Sequence, residues 1–539
     1  MPIYPRHNAN APITMRAAVV LGHSYAAAWE DQCIAALREV PGLSVRLFSQ
    51  SMKRLSAEAR GARPPATGAL RAVEISHSAE LEDAAQLSQH EFDFVLDLSG
   101  TLNESDAKDF RLGVWRYETR GAKTIDRFIS WREFSAGART LDMALVARTG
   151  DASPRVLRSA RFNLPLRLRG LDPILQGCSQ WAAWSAQEWA SSGLDTASRW
   201  EQRTSVNFPK VLTAPARLLY RVCRRAVRHL LARVDWNIGI IPNATPDEFL
   251  KPGYRPAIRW LRWDQPHPFY ADPMVASQGG KTFILCESLD RRAHRGHIDA
   301  FEIFGSVPVN QKPVMRQLSH LSYPFLFEYG GAYYCVPESA EKNCVELYRS
   351  TSFPYEWARV GTLIEGFDAC DSTLFRHDDK WWLFCTSANN GPNLHLFAFH
   401  ADRLTGPWAA HARNPIKSDI TSARPAGKPF FHQGHLYRPS QDCASTYGGA
   451  LRINRILRLT TDEFEEEIVA TLLPRSLHPY TAGTHTLSWD GDVCVIDGKR
   501  RYLSFRRLFE VLGRANVKAA RRSAAVPGPL LEPKPEAVQ

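Results

Sequence analysis

The phrase DSTLFRHDDKWWLFCTS, which opens at Asp371, recurs along this chain in altered spelling. DPMVASQGGKTFILCES opens at Asp272 and YPFLFEYGGAYYCVPES at Tyr323; looser copies open at Arg424 (RPAGKPFFHQGHLYRPSQD) and Gly483 (GTHTLSWDGDVCVIDGKR). Each phrase is an apolar run, a turn and a second apolar run, the pattern of a β-hairpin. Successive openings lie 51, 48, 53 and 59 residues apart. A period of about 50 residues, with several short strands in each unit, predicts blades of a propeller, because one small sheet cannot bury both faces until neighbours stack on it. Five phrases predict five blades.

The repeat fills only part of the 539 residues, and a 44% hydrophobic content is enough for more than one core. The fold class expected is multidomain, α/β plus all-β. From Met15, MRAAVVLGHSYAAAWEDQCIAALREVPGLSVRLFSQ reads strand, turn, helix, strand, and FDFVLDLSG adds another strand, so an α/β domain is expected over 15–170. QWAAWSAQEWASS and its surroundings read as a helical linker over 171–234. WNIGIIPNA begins a texture rich in aromatics, Gly and Pro, and the five-bladed β-propeller is placed over 235–512. A Pro-rich tail, 513–539, is expected to be disordered.

The net charge of +11 is concentrated. APARLLYRVCRRAVRHLLARVDW carries Arg217, Arg221, Arg224, Arg225, Arg228 and Arg233 among apolar residues at helical spacing, and KRRYLSFRRLFEVLGRANVKAARR from Lys499 is a second basic stretch. Such helices either pack an apolar stripe on a neighbouring domain or bind an anionic membrane surface peripherally. No nucleic-acid partner is expected, since neither stretch sits beside a nucleic-acid fold. The ten cysteines are irregularly spaced, without a CxxC pair or a leader ahead of them, which predicts reduced thiols and a cytoplasmic protein, peripheral at most to the inner membrane face.

In a propeller the innermost strands begin near the axis, so the residues opening each phrase converge on one funnel. That set is Asp272, Asp371, Arg424 and His485, with Tyr323 at the second blade; Glu287 and Glu338 share one offset in the first two phrases. The RPSQD stretch adds Arg438, Gln441, Asp442 and Tyr447. Carboxylates for hydroxyls, rings for a pyranose face and Arg for anionic groups suit a sugar or glycolipid substrate. Each residue also has a structural reading: the aspartates as turn caps, Arg438 with Asp442 as an ion pair between blades, His485 as a satisfied buried group. Trp381 and Trp382 fall within a strand and read as core. No His and acid cluster shows metal-ligand spacing, so no metal and no cofactor are expected.

The region from Tyr254 to Arg501, through HPFYADPM, SYPFLFEYGGAYYCVPES, DSTLFRHDDKWWLF, GTHTL and VIDGKR, resembles the five-bladed propellers of family 43 glycosidases and, more closely, the N-terminal domain of glucosamine inositolphosphorylceramide transferases. The glycosidase resemblance implies Asp272 as general base, Asp371 as the carboxylate that tunes its partners' pKa values, and Glu338 as the candidate general acid, although the usual Glu-Gly-Pro setting of that acid is absent. The region 15–170 resembles the N-terminal domain of formyltransferases. There GVWRYE puts Arg116 and Glu118 where that family has Asn and His, which removes the imidazole of its acid/base step. The function expected is a sugar-transfer enzyme, or a module of one, in surface glycan or glycolipid biosynthesis. A glycoside hydrolase, a non-catalytic sugar-binding scaffold and an amino-sugar N-formyltransferase are the alternatives.

Overall fold

The computed structural model describes 15–50 apart from 23–24, then 72–74, 81–192 with short gaps at 121–124, 126–128, 136, 150–153 and 166–170, four positions between 216 and 223, and 232–504 apart from 265–268 and 291–294. The N-terminal arm, most of both basic stretches and the Pro-rich tail lie outside the described residues, as does the linker after 192 except for those four positions and 232–234.

The N-terminal region is built on a seven-stranded sheet in the spatial order Leu81–Asp83, Leu43–Ser49, Met15–Leu21, Phe94–Asp97, Val114–Thr119, Thr140–Arg148, Arg155–Asn163. The first five strands are parallel and the last two antiparallel. The central strand MRAAVVL is apolar nearly throughout because both faces are covered: Ala17, Val19 and Leu21 enter one core, while Ala18 and Val20 enter another. The helices Ala28–Arg38, Asp172–Cys178 and Trp181–Ser192 pack on the first of these. The two described helices of the expected linker are therefore part of this domain's core.

Arg116 and Glu118 are both buried, and neither stands free in a cleft. Arg116 is paired with Asp97 at 2.7 Å and Glu118 with Arg148 at 2.9 Å. The positions read from GVWRYE hold two buried ion pairs.

Five small antiparallel sheets follow. Blade one is Tyr270–Gln278, Lys281–Asp290, Arg295–Phe304, Val307–Met315; blade two is Ser322–Tyr329, Ala332–Glu338, Cys344–Ser352, Glu356–Glu365. Blade three is Ala369–His377, Lys380–Ser387, His395–Ala401, Ala409–Ala410, with Lys417–Ser418 also on His395–Ala401. Blade four is Phe430–His432, His435–Asp442, Ala450–Leu459, Phe464–Leu472. The hairpin turns explain the shared punctuation: Gly279–Gly280, Gly330–Gly331 and Asp378–Asp379 all have positive φ at both positions, the type I′ geometry that follows strand twist.

Blade five departs from the repeat. Its inner strands, Leu487–Asp490 and Val493–Leu503, come from the last phrase, but its outer strands are Ala232–Pro242 and Arg259–Trp260 from ahead of the first blade. Ala232–Pro242 pairs with Val493–Leu503 from Ala232↔Leu503 to Pro242↔Val493, which closes the ring. Among the described residues no helix is long and apolar enough to cross a membrane. None of the ten cysteines is in a disulfide. Trp381 and Trp382 are buried in the core.

Candidate functional site

The first residue of three phrases shares one unusual conformation. Asp272, Tyr323 and Asp371 have φ of 53°, 41° and 52°, a left-handed backbone that residues other than Gly seldom adopt. Each sits at a register shift in the pairing of its inner strand, between Ala271 and Met274, Ser322 and Phe325, and Cys370 and Thr373. A bulge of this kind re-aims a side chain, and strained backbone of this kind collects at working sites. Here it is repeated three times around one axis.

On the blade-five side, Asp272 is buried. Its Oδ1 accepts from Thr486 Oγ1 at 2.7 Å and its Oδ2 from the Tyr323 N–H at 3.3 Å. His485 Nδ1 lies 3.7 Å from Asp272 Oδ1 and is bonded directly to Asp497. Asp497, fully buried, also accepts the backbone N–H of His485 at 2.7 Å and of Thr486 at 3.2 Å. Burial, opposed by His485 and reinforced by Asp371, Glu287 and Asp497, raises the Asp272 carboxyl to about 7. Burial alone would lower the His485 imidazolium, but the Asp497 and Asp272 carboxylates overcome it and hold its pKa above the ordinary value. Trp236 stacks on the His485 ring at 4.1 Å and Tyr447 meets it edge-on at 5.2 Å. Lys499 Nζ lies 4.9 Å over Trp236 and donates to the Tyr447 carbonyl; burial draws its pKa down to about 8.

Across the funnel, Arg424 grips Asp371 with two bonds, Nε to Oδ2 at 2.6 Å and Nη2 to Oδ1 at 3.1 Å, and Gln441 Nε2 adds a third at 2.7 Å. Glu338 Oε2 accepts the Asp371 N–H at 3.0 Å and lies 3.5 Å from Arg424 Nη2. Burial first and Asp371 second push the Glu338 carboxyl well above its usual range. The Arg424 guanidinium lies 5.1 Å from the Tyr447 ring centroid, so Tyr447, 42% exposed, bridges the two halves at the mouth. Glu287 is held by His320, whose Nε2 is 3.2 Å from Oε1 and whose Nδ1 accepts the Gly296 N–H.

Asp272, Asp371, Glu338, Arg424, Gln441, Tyr447 and His485 thus converge, with Glu287 beside Asp272. Three residues expected at the substrate serve otherwise. Tyr323 is fully buried, and its hydroxyl joins Thr373 Oγ1 at 2.8 Å to the Gly427 N–H at 2.6 Å, a brace across the axis. Arg438 is fully buried on Glu466 and the carbonyls of Ser422 and Ala423. Asp442 pairs with Arg452 at 2.6 Å rather than with Arg438. Sequence reasoning missed Asp497, Thr486, Trp236, Lys499 and His320. The one available signal was an Asp inside the apolar run VCVID.

Asp272, His485 and Asp497 each offer a donor atom, all within 4.8 Å of one another, a grouping that sequence spacing concealed because Asp272 lies more than 200 residues ahead of the other two. In the structure these atoms satisfy one another.

Replacing Arg424 with Lys keeps the charge and loses the fork that matches a carboxylate. Arg424→Lys is expected to weaken saccharide binding roughly tenfold, on the scale of one charge-assisted hydrogen bond, as read by calorimetric titration. An unchanged affinity would remove Arg424 from the binding surface.

The chain matches known proteins over the propeller. Residues 261–492 match the family model described as glucosamine inositolphosphorylceramide transferase 1, N-terminal. The glucosamine inositolphosphorylceramide transferase 1 of Oryza sativa subsp. japonica is 36% identical over 208 residues, covering 37% of this chain and 28% of that protein. The Arabidopsis thaliana protein of the same name is 32% identical over 233 residues, 42% of this chain and 30% of that one. The chain thus spans less than a third of the length of these curated relatives. Among solved structures, an exo-β-1,3-galactanase from Clostridium thermocellum aligns at 12% identity and a TM-score of 0.34, covering 43% of this chain and 59% of that one. A GH43 β-xylosidase/α-arabinofuranosidase from a compost metagenome aligns at 11% and 0.31, covering 44% and 94%. The matched stretch carries blades one to four and the strand Leu487–Asp490 of blade five, so most of the funnel, though not Trp236, Asp497 or Lys499, lies within the part of this chain that is similar to the N-terminal region of glucosamine inositolphosphorylceramide transferases.

Proposed function

We propose that this protein is a sugar-transfer enzyme, or the glycan-binding module of one, in glycolipid or surface-glycan assembly, with its sugar site in the propeller funnel. The observation that carries the reading is the division of labour between the two aspartates. Asp371 spends its carboxylate on Arg424 and Gln441, whereas Asp272 keeps a carboxyl raised to about 7, the range in which a group exchanges protons at neutral pH. In this reading Asp272 takes the proton of an acceptor hydroxyl, His485 and Thr486 hold it in place, Arg424 meets an anionic group of the substrate, and Tyr447 stacks on a sugar ring. The relatives' name, which joins a glucosamine to an inositolphosphorylceramide, makes an amino-sugar donor and a phosphate-bearing acceptor the first substrates to try. The basic stretches on either side of the propeller suit a protein working at an anionic, cytoplasmic membrane face.

A hydrolase of the three-carboxylate kind fits less well. It needs a free acid facing the base across a water, and Glu338 lies against Asp371 and Arg424. A sugar-binding scaffold is the second reading, favoured by how fully Asp371 is occupied. The test is incubation of the purified protein with a panel of nucleotide sugars and with formyl-tetrahydrofolate. Nucleotide release in the presence of a phosphoinositol acceptor is expected; consumption of formyl-tetrahydrofolate, or release of free sugar from glycans, would overturn the proposal.

A further inference from the structure

We infer that the N-terminal sheet positions Arg424, with Arg161 as the positioning residue, through the turn that carries Arg424 into the funnel. The sheet's last strand, Arg155–Asn163, leaves one edge unpaired within the sheet, and that edge meets the propeller. Arg161 forms a parallel bridge with Asp419, and the Ile420 N–H donates to the Arg161 carbonyl at 2.9 Å. The Arg161 side chain, oriented by Asp142 at 2.8 Å, brings Nη1 to 3.8 Å from Asp419 Oδ2. A few residues away Arg413 of the propeller reaches Glu188 at 2.6 Å, and Arg158 of the same strand holds that glutamate at 3.0 Å.

Asp419 organises everything between it and Arg424. Its carboxylate accepts the Thr421 N–H at 2.8 Å, Thr421 Oγ1 at 2.7 Å and Ser422 Oγ at 3.0 Å, and its carbonyl accepts the N–H of Ser422 and Ala423. From behind, Arg438 holds the carbonyls of Ser422 and Ala423. The next residue is Arg424, whose guanidinium holds Asp371 and approaches Glu338. The turn is therefore clamped between the propeller's own Arg438 and a strand edge from the other domain. A buried guanidinium is useful only where its fork is aimed, and an error of a fraction of an ångström in the backbone beneath it misaligns both bonds. Coupling is reciprocal: a ligand that engages Arg424 tightens the contact between the domains as much as that contact tightens the ligand.

The inference rests on the funnel as the sugar site, and the test separates the two. In full-length Arg161→Ala/Arg413→Ala protein, amide exchange of 419–424 is expected to quicken roughly tenfold while that of 322–338 in blade two is unchanged. Affinity for N-acetylglucosamine 1-phosphate, titrated as a probe that carries both a sugar ring and an anionic group, should fall about five- to tenfold, the low end of coupling between sites. Arg161→Lys, which keeps the charge, should recover most of the protection. Wild-type exchange at 419–424 in the double variant overturns the inference. Faster exchange there in a protein whose wild type does not bind the probe would sustain the clamp and count against the sugar site. Should the double variant not fold, the Arg161→Ala and Arg161→Lys pair decides the matter by the same exchange measurement.

Discussion

Asp272→Asn is expected to lower turnover by roughly 10²- to 10⁴-fold, the usual contribution of a positioned general base, and at the same time to raise the melting temperature. Asparagine accepts the φ of 53° as readily as aspartate and keeps an oxygen for the Thr486 hydroxyl, giving up only the longer 3.3 Å bond from the Tyr323 N–H, so the funnel retains its shape. Its effect on stability follows from the direction of the shift. The folded carboxyl titrates at about 7, above the 3.8 of a free aspartate, so the folded state favours the proton. The stability this confers is complete below the unfolded value and is lost as pH rises through about 7. Asparagine cannot ionise, so the variant should outlast the wild type above neutrality, with little difference at pH 4. Wild-type activity should fall away tenfold per pH unit below about 7. A turn cap would give the reverse pattern, full activity with a melting temperature lowered by an amount corresponding to about 1 kcal/mol. That outcome would end the catalytic reading of Asp272.

Glu466→Leu is expected to cost about 3–5 kcal/mol, because it strands a fully buried Arg438 with carbonyls as its remaining partners. For a unit of this size that is a drop of roughly 6 to 20 °C in melting temperature. Burial alone would raise the Glu466 carboxyl, but Arg438 and Lys417, the latter at 2.7 Å, hold its pKa below the ordinary value. The stability it confers is thus present at neutral pH and is lost on acidification, as pH falls through the folded value. The leucine variant should lack that acid-side loss. Adding Arg438→Met should restore much of the deficit, since replacing both members of a buried pair by apolar groups is often close to neutral. A single-variant loss under 1 kcal/mol would show that the carbonyls of Ser422 and Ala423 suffice for Arg438.

The phrases were legible because hairpins spell themselves locally: apolar alternation, a left-handed turn pair, alternation again. Their common phase was legible too, and the left-handed Asp272, Tyr323 and Asp371 are what that phase looks like as backbone. What each side chain meets is a non-local matter. Arg424 and Arg438 stand in similar Arg-Pro contexts only fourteen residues apart, yet one enters the funnel and the other is sealed behind it. Asp497 reads as one polar residue in an apolar strand until the last hairpin folds it under His485. The two outer strands of blade five carry no copy of the phrase, so nothing local tied Ala232–Pro242 to the end of the chain.

That pairing of Ala232 with Leu503 also sets an order of events during synthesis. Ala232–Pro242 leaves the ribosome first among the propeller strands, and its partner follows some 250 residues later. At the usual elongation rates of about 5–20 residues per second, the interval is on the order of 10 to 50 seconds. Throughout it, a strand with the apolar sequence WNIGIIP lacks the neighbour it will have in blade five, a lure for any other strand edge in reach. The four intervening blades can form as they emerge, but the ring has a fixed final step. Nascent chains stalled before residue 493 should therefore be the aggregation-prone species, and a chaperone that shields this one eleven-residue strand would be enough to carry the protein past its most exposed moment.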